Sequence, residues 1–359
     1  MKILVTGANG FLGQHVVSAL LARRHQVRVL VRPAADLERT SWRNQVDVFR
    51  ADLRSTANLG SAFNGIDVLV HLAAAVTGGE DAQFAAGVVG TERLLSAMIG
   101  SGCRRVVLAS SFSVYDWSNI HGTLDENSPI EPREDLYARD GYSIAKWWQE
   151  RVTRRFAEVH EWDLTVLRPG FIWGRDHAYL AALGQQVGPV HFVIGPFTHM
   201  PMTHVENCAD LFALAATDPR AVGHTFNVVD GPGSRIWSFL GEYLRRSGEG
   251  GFRIPIPYTA AYGVVSAAFA TIFQRNHKLP QILIPCRFES RLKPLRYTNE
   301  RARRILGWNP PLTFEQCLAR SFGPPSPTRE EKSPDTDREG LRDADKYPPA
   351  PLNASVNSQ

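Results

Sequence analysis

Ile3-Leu4-Val5-Thr6-Gly7-Ala8-Asn9-Gly10-Phe11-Leu12-Gly13 is an apolar run that breaks on three glycines spaced G-x-x-G-x-x-G. The run is short, rich in β-branched residues and bounded by glycine, as buried parallel strands are. From Phe11 onward Val16, Val17, Leu20 and Leu21 recur at helical spacing, so the glycines fall at a strand-to-helix turn. At such a turn the first N–H groups of the helix point at an anion, and glycine lets a pyrophosphate approach the backbone closely. Isolated glycine triplets are common in loops. It is the strand before and the helix after that make this one read as a dinucleotide site, with Gly7, Asn9, Gly10, Phe11, Leu12 and Gly13 as the contacts.

Outward from the loop, strand-like runs at Gln26 to Val31, Val46 to Phe49, Val68 to Leu72, Arg105 to Ser110 and Leu164 to Leu167 alternate with helical stretches. That alternation predicts an α/β fold, a doubly wound parallel sheet. Ala82 to Ile99 and Tyr142 to His160 have helical spacing, while Ser118 to Tyr137 carries Gly122, Pro129 and Pro132 and reads as loop. Beyond Gly170 the alternation fades. The expected organisation is a nucleotide-binding domain over 1–170 and a smaller, irregular substrate lobe over 171–322 that also completes part of the sheet. The Pro-Ser-rich, charged stretch 323–359 lacks large apolar residues and is expected to be disordered.

Composition excludes more than it selects. Forty basic against 36 acidic residues leave a formal charge of +4, a near balance that suggests neither nucleic acid nor an anionic membrane surface as partner. Cys103, Cys208, Cys286 and Cys317 are far apart with no C-x-x-C pair, so neither a zinc site nor a secreted disulfide framework is expected. The cysteine pattern fits a reducing, cytoplasmic setting, and the N-terminal apolar residues belong to the cofactor strand and show no signal-peptide cleavage pattern. Ile254 to Gln274 holds 21 residues without a charge, long enough to span a bilayer. Its two prolines, its glycine and its alanine-rich composition favour a buried or lid helix instead, with peripheral membrane contact as the alternative.

A tyrosine and a lysine four apart in Tyr142-Ser143-Ile144-Ala145-Lys146 would share one helix face. An ammonium near a phenol favours the phenolate and makes the tyrosine a usable acid or base; the other reading is an exposed pair with Lys146 in solvent. Leu108-Ala109-Ser110-Ser111-Phe112-Ser113-Val114-Tyr115 runs from strand into hydroxyl residues at the edge where doubly wound sheets bind ligands. Ser111 could bond a substrate oxygen there, although serines at strand ends are also turn formers. About twenty residues past the glycine loop the second strand ends on Arg32, where an acid would select NAD by accepting from the ribose 2′-OH. A guanidinium suits a 2′-phosphate, so NADP(H) is favoured over NAD(H), unless Arg32 only leaves the strand into solvent.

These motifs are joined in order by Ala51-Asp52-Leu53-Arg54, His71-Leu72-Ala73-Ala74, Asp125-Glu126 with Pro129, Leu167-Arg168-Pro169-Gly170, Thr203-His204-Val205-Glu206-Asn207 and Leu306-Gly307-Trp308. Over residues 1–320 the chain resembles the extended short-chain dehydrogenase/reductase family, within the NAD-dependent epimerase/dehydratase superfamily, nearest its 3β-hydroxysteroid dehydrogenase and dihydroflavonol reductase branch. The resemblance implies that Tyr142 is the acid/base, that Lys146 orients the nicotinamide ribose and lowers the tyrosine pKa, and that Ser111, four before Tyr115, polarises the substrate carbonyl. It implies that Asp52 and Leu53 hold the adenine, that Ala73 and Ala74 pass beside the nicotinamide half, and that Pro169 and Ile172 line the ring. One departure is Gly87, where the family usually has an asparagine serving a water-relayed proton path. The expected reaction is hydride transfer between nicotinamide and a secondary alcohol or ketone, with Phe171, Trp173 and the uncharged stretch favouring an apolar small-molecule substrate. The alternatives are a nucleotide-sugar epimerase or dehydratase with tightly bound NAD, and a non-catalytic NADP sensor, against which Tyr142 and Lys146 weigh. No metal is expected, and the macromolecular partner considered is a second copy in a homodimer.

Overall fold

The strand, turn and helix at the N-terminus are β1, Lys2–Thr6, and α1, Phe11–Ala22. They belong to a computed structural model that describes residues 1–323 except 39, 56–58, 76–78, 133–140, 232 and 273–282. The chain continues through β2 (Gln26–Val31), β3 (Asp47–Arg50), β4 (Val68–His71), α2 (Glu80–Phe84), α3 (Gly90–Met98), β5 (Arg105–Ala109), β6 (Thr123–Leu124), α4 (Gly141–His160) and β7 (Asp163–Pro169). The second half holds β8 (Phe171–Trp173), β9 (Gln185–Val187), β10 (Val190–Ile194), β11 (Met202–His204), α5 (Val205–Thr217), β12 (Thr225–Val228), α6 (Ile236–Ser247), β13 (Phe252–Ile256), α7 (Tyr258–Ile272), α8 (Pro285–Leu292), β14 (Arg296–Tyr297), α9 (Glu300–Leu306) and α10 (Phe314–Phe322).

Seven strands form the central sheet in the order β12-β7-β5-β4-β1-β2-β3, every pair parallel. This is the expected Rossmann-like, doubly wound architecture. The alternating pleat divides its side chains between two cores. Ile3, Val5, Val68, Val70 and Val107 face α1 and α5, while Leu4, Leu69 and Val106 face Leu94, Leu95 and Met98 of α3. Winding changes direction between β1 and β4, and the carboxyl ends of those strands form the crevice where such sheets take ligands.

Met1–Pro325 form one compact unit. The seventh strand, β12, pairs with β7 in register Val166↔Thr225 through Pro169↔Val228, so the sheet is finished by residues well past Gly170. The remaining strands make small sheets, β13-β10-β9, β11-β8 and β14-β6. β8, β10 and β11 give Trp173, Val193 and Met202 to a second apolar cluster with Phe239, Leu240, Phe288 and Leu318, while Leu124 of β6 and Tyr297 of β14 pack in a separate one with Phe112, Tyr115 and Trp117.

Two expectations need correction. The uncharged stretch from Ile254 is not one helix: its first residues belong to β13, and α7 starts only after Pro257. Nor is α7 a buried helix: only one stripe of it packs, with Val265 buried and Tyr258, Ala261 and Tyr262 half-buried against the second cluster, while Val264 stays exposed. Among the described residues no helix is long and apolar enough to cross a membrane. Trp173, read as favouring an apolar substrate although a single aromatic is more often core than pocket, is core: it is 1% exposed and packs edge-on against His204 and Phe239. The expected disordered tail, apart from Gly323, and the end of the loop expected at Ser118 to Tyr137 lie outside the described residues.

Candidate active site

The glycine loop is shaped by contacts that exclude side chains. Gly7 has φ +70°, and a Cβ there would sit 2.9 Å from the Ala73 nitrogen at the end of β4. A Cβ on Gly13 would meet the Gly7 carbonyl at 2.0 Å. These two glycines let β1, the turn and α1 close on one another beside β4. Gly10 is the N-cap of α1 and brings no side-chain cap, and the first turn carries no acid. Phe11 and Leu12 thus open a helix whose N-terminal N–H groups face outward without a capping side chain, which fits a pyrophosphate. A cavity of about 490 Å³ opens beside Asn9 and Phe11, where the His177 ring stacks on Phe11 at 4.0 Å.

The adenine end is electrostatically mixed. Arg32 is exposed at the end of β2. Asp52, past the end of β3, accepts from Arg54 Nη2 at 2.7 Å, and that bond with the nearby charge of Arg32 holds its carboxyl down at about 2. Leu53 is half-buried next to it, and a Cβ on Gly90 of α3 would press on the Leu53 Cβ at 3.2 Å. Ala73 and Ala74 follow β4, with Ala73 N donating to Thr6 Oγ1 at 3.3 Å. Pro169 ends β7 buried, and Ile172 lies half-buried in β8.

Helix α4 brings the acid/base candidates to this edge. A Cβ on Gly141 would lie 2.8 Å from the Glu80 Cα, so the glycine before Tyr142 lets α2 press against the start of α4. Tyr142 is half-buried there. Lys146 is not in solvent. It is 4% exposed, and its Nζ donates to the Ala109 carbonyl at 2.6 Å and to Gln149 Oε1 at 2.9 Å. Burial pulls its pKa down to about 7, against the raising charge of Glu150. Ser111 heads the short 3₁₀ turn Phe112–Val114, which packs on α4. Its Oγ accepts from Ser113 N at 3.1 Å, an interaction that uses a lone pair and not the hydroxyl proton.

Two supporting networks were not assigned from the sequence. Glu150, also on α4, receives Arg168 Nη2 at 2.5 Å and Nε at 3.1 Å, Arg154 Nη2 at 2.9 Å, and the Ser110 hydroxyl at 2.6 Å. Burial alone would raise this carboxyl, but the Arg168 guanidinium overcomes it and the pKa rests at about 2. Arg168 also lies over the Tyr115 ring at 4.9 Å, and the Tyr115 hydroxyl donates to Asn227 Oδ1 on β12. Ser110 is thereby committed to structure, which leaves Ser111 for the crevice. The second network joins Thr6, His71, Thr91 and Gln149. His71 Nδ1 lies 2.6 Å from Thr6 Oγ1 and its Nε2 2.8 Å from Thr91 Oγ1, and burial drives the imidazole pKa down to about 3. The signal available for both networks was the placement of Gln149 and Glu150 three and four residues after Lys146, on its own helix face.

Gly87 lies in a π-helical turn, Ala85–Val89, joining α2 to α3. A Cβ there would approach the Ala145 Cβ to 3.2 Å. The turn accordingly packs its backbone directly against α4, one residue from Lys146.

Residues 3–229 match the family model for the NAD dependent epimerase/dehydratase family. The chain is 29% identical over 335 residues to a 3 beta-hydroxysteroid dehydrogenase/Delta 5-->4-isomerase of Mycobacterium tuberculosis, covering 88% of each. It is 30% identical over 334 residues to a 4-hydroxy-2-methyl-3-oxo-4-farnesyl-3,4-dihydroquinoline-1-oxide ketoreductase of Stigmatella aurantiaca, covering 90% of this chain and 97% of that one. The UDP-glucose 4-epimerase of Thermus thermophilus, solved in complex with NAD, shares the fold at a TM-score of 0.64 and 21% identity, over 90% of this chain and 98% of that one. A glycine turn built for a pyrophosphate, and relatives that span nearly the whole described chain, lead to one conclusion: the chain belongs to the NAD dependent epimerase/dehydratase family and is a nicotinamide-dependent oxidoreductase within it.

Proposed function

We propose that the protein interconverts a secondary alcohol and its ketone on an apolar, polycyclic or isoprenoid-bearing substrate, with NADP(H) as the preferred cofactor. The observation that carries this reading is Lys146: an ammonium buried at the carboxyl edge of β5, one helical turn beyond Tyr142 and on the same side of α4. The nicotinamide supplies or accepts the hydride. Everything else falls to this chain's own groups. Tyr142 gives or takes the proton at the substrate oxygen, and the Lys146 charge stabilises its phenolate. Ser111 donates its hydroxyl proton to the same oxygen as negative charge develops there. Gly7, Gly10 and Gly13 with the N–H groups of Phe11 and Leu12 hold the pyrophosphate, Asp52 and Leu53 face the adenine, and Pro169 and Ile172 cover the ring. Arg32 supports the NADP(H) preference, because an exposed guanidinium at the end of β2 offers a fork for a 2′-phosphate.

Support for the substrate class comes from the curated relatives, whose names specify hydroxysteroid and farnesylated keto substrates. The test follows absorbance at 340 nm with purified full-length protein, NADPH or NADH, and a panel of ketosteroids, isoprenoid ketones and keto-sugars. Tyr142→Phe should lose about a hundredfold to ten-thousandfold in kcat while cofactor affinity stays within a few-fold. Arg32→Asp should shift preference toward NADH. Turnover undiminished by Tyr142→Phe would sink the assigned chemistry. Nicotinamide retained through purification, with nucleotide sugars isomerised and no net absorbance change, would place the reaction among the epimerases.

A further inference from the structure

The geometry points to Gln149 as a positioning residue for Lys146: its Oε1 accepts from the ammonium at 2.9 Å while its Nε2 is tied to Thr91 and to the Ala73 carbonyl, so the amide cannot turn away. The inference rests on the proposed reaction for its catalytic consequence but not for its geometry. Nε2 donates to Thr91 Oγ1 at 2.9 Å and to Ala73 O at 3.1 Å, and lies 3.1 Å from His71 Nε2. Turned the other way, the amide would aim N–H groups at the ammonium and its oxygen at the Ala73 carbonyl, two repulsions between buried groups. The side chain is therefore oriented by its surroundings, and so is the oxygen that Lys146 meets.

The tether spans the ligand crevice. Ala73 follows β4 on the nicotinamide side, its nitrogen donates to Thr6 at the end of β1, and Thr6 holds His71. Thr91 in turn donates to the Gly87 carbonyl in the π-helical turn. At Gly87 the same turn has no side chain to offer α4, since a Cβ there would already press on Ala145. The carboxamide that meets Lys146 comes instead from α4, and it links the lysine to the strand ends on either side of the glycine loop.

Lys146 is held from two directions, by Ala109 O below and Gln149 Oε1 beside it, which aims the ammonium along the edge of β5. The ionisable groups around it are Glu150, which is paired with Arg168 and Arg154; His71 from β4, kept neutral by burial; and Tyr142, four residues earlier. None of these takes the place of the Gln149 oxygen. Removing that oxygen disfavours the charged lysine and weakens the phenolate it sustains.

The experiment follows Lys146 by 13C NMR in the cofactor-free protein, where six lysines in the chain keep the spectrum assignable. Gln149→Met should move the Lys146 titration to lower pH by about one unit, the scale of a hydrogen bond to a charged group. Gln149→Glu should move it upward. In kinetics Gln149→Met should lower kcat about tenfold with KM for the cofactor changed less, and Gln149→Glu should recover part of that loss. A Lys146 titration unmoved in both folded variants would overturn the assignment, as would a kcat loss that tracks Tm alone and is not recovered by glutamate. If the wild type reduces no carbonyl, the proposed reaction fails while the NMR titration still decides the role of Gln149.

Discussion

Two buried charges sit one turn apart on α4, and they are treated in opposite ways. Glu150 is surrounded by donors: two guanidiniums and a hydroxyl hold its carboxylate at about 2 although it is almost wholly enclosed. Lys146 has neutral oxygens for partners, Ala109 O and Gln149 Oε1, and its pKa has fallen to about 7. A buried charge that is paired and bonded is held as scaffold; one left with neutral partners is kept at a cost in stability, the pattern of a group poised to react. The helix is thus a pillar at Glu150 and, in the reaction we propose, a working part at Lys146.

The largest expected effect tests the working part. Lys146→Met should reduce kcat by about a hundredfold to ten-thousandfold, yet leave Tm unchanged or higher near pH 6, because it removes an ammonium that burial disfavours. A loss of Tm comparable to that at Glu150 would erase the contrast. Next comes the pillar. Glu150→Gln strands the Arg168 guanidinium, 4% exposed, without its counter-charge, and should cost about 3–5 kcal/mol, or roughly 6–15 °C in Tm. Thermal melts of the two variants side by side make the measurement.

The pH dependence of stability separates the pair further. The native state binds fewer protons at Lys146 than the unfolded chain does between about pH 7 and the ordinary lysine value of 10.5, so wild type should gain stability over Lys146→Met as pH rises through that window, by on the order of 1 kcal/mol per pH unit. Glu150 acts on the acid side. Its stabilisation is present above about 4.5 and is lost as pH falls toward 2. The smallest effect is expected at Arg154, the half-exposed partner of Glu150: Arg154→Ala should cost no more than about 1 kcal/mol, and a larger loss would mean that the pillar leans on its solvent-facing side.

How legible these features were depends on how far apart their parts lie in the chain. The glycine loop could be read because strand, turn and helix are contiguous, and Tyr142 with Lys146 because four residues is one helical turn. The distant partners of Gln149 and Glu150 could not, since His71 is 78 residues from Gln149, Thr91 is 58 and Arg168 is 18 from Glu150, whereas Lys146 and Arg154 lie within one turn. Nothing local announces such pairings. β12 escaped for a related reason: Thr225–Val228 is four residues long with an asparagine in it, and only the open edge of β7 makes it a sheet strand. The uncharged run from Ile254 misled in the opposite sense, because absence of charge describes a helix and a β-strand equally well.

The position of β12 bears on how the chain is made as well as how it stands. Until residue 228 has been synthesised, β7 offers an unpaired edge carrying Val166 and Leu167, with no strand to cover it. A nascent or truncated chain ending near residue 170 therefore carries an adhesive strip, open to pairing with any other exposed strand and prone to aggregate. The late strand closes the edge of the nucleotide half only once the half that follows it has been made.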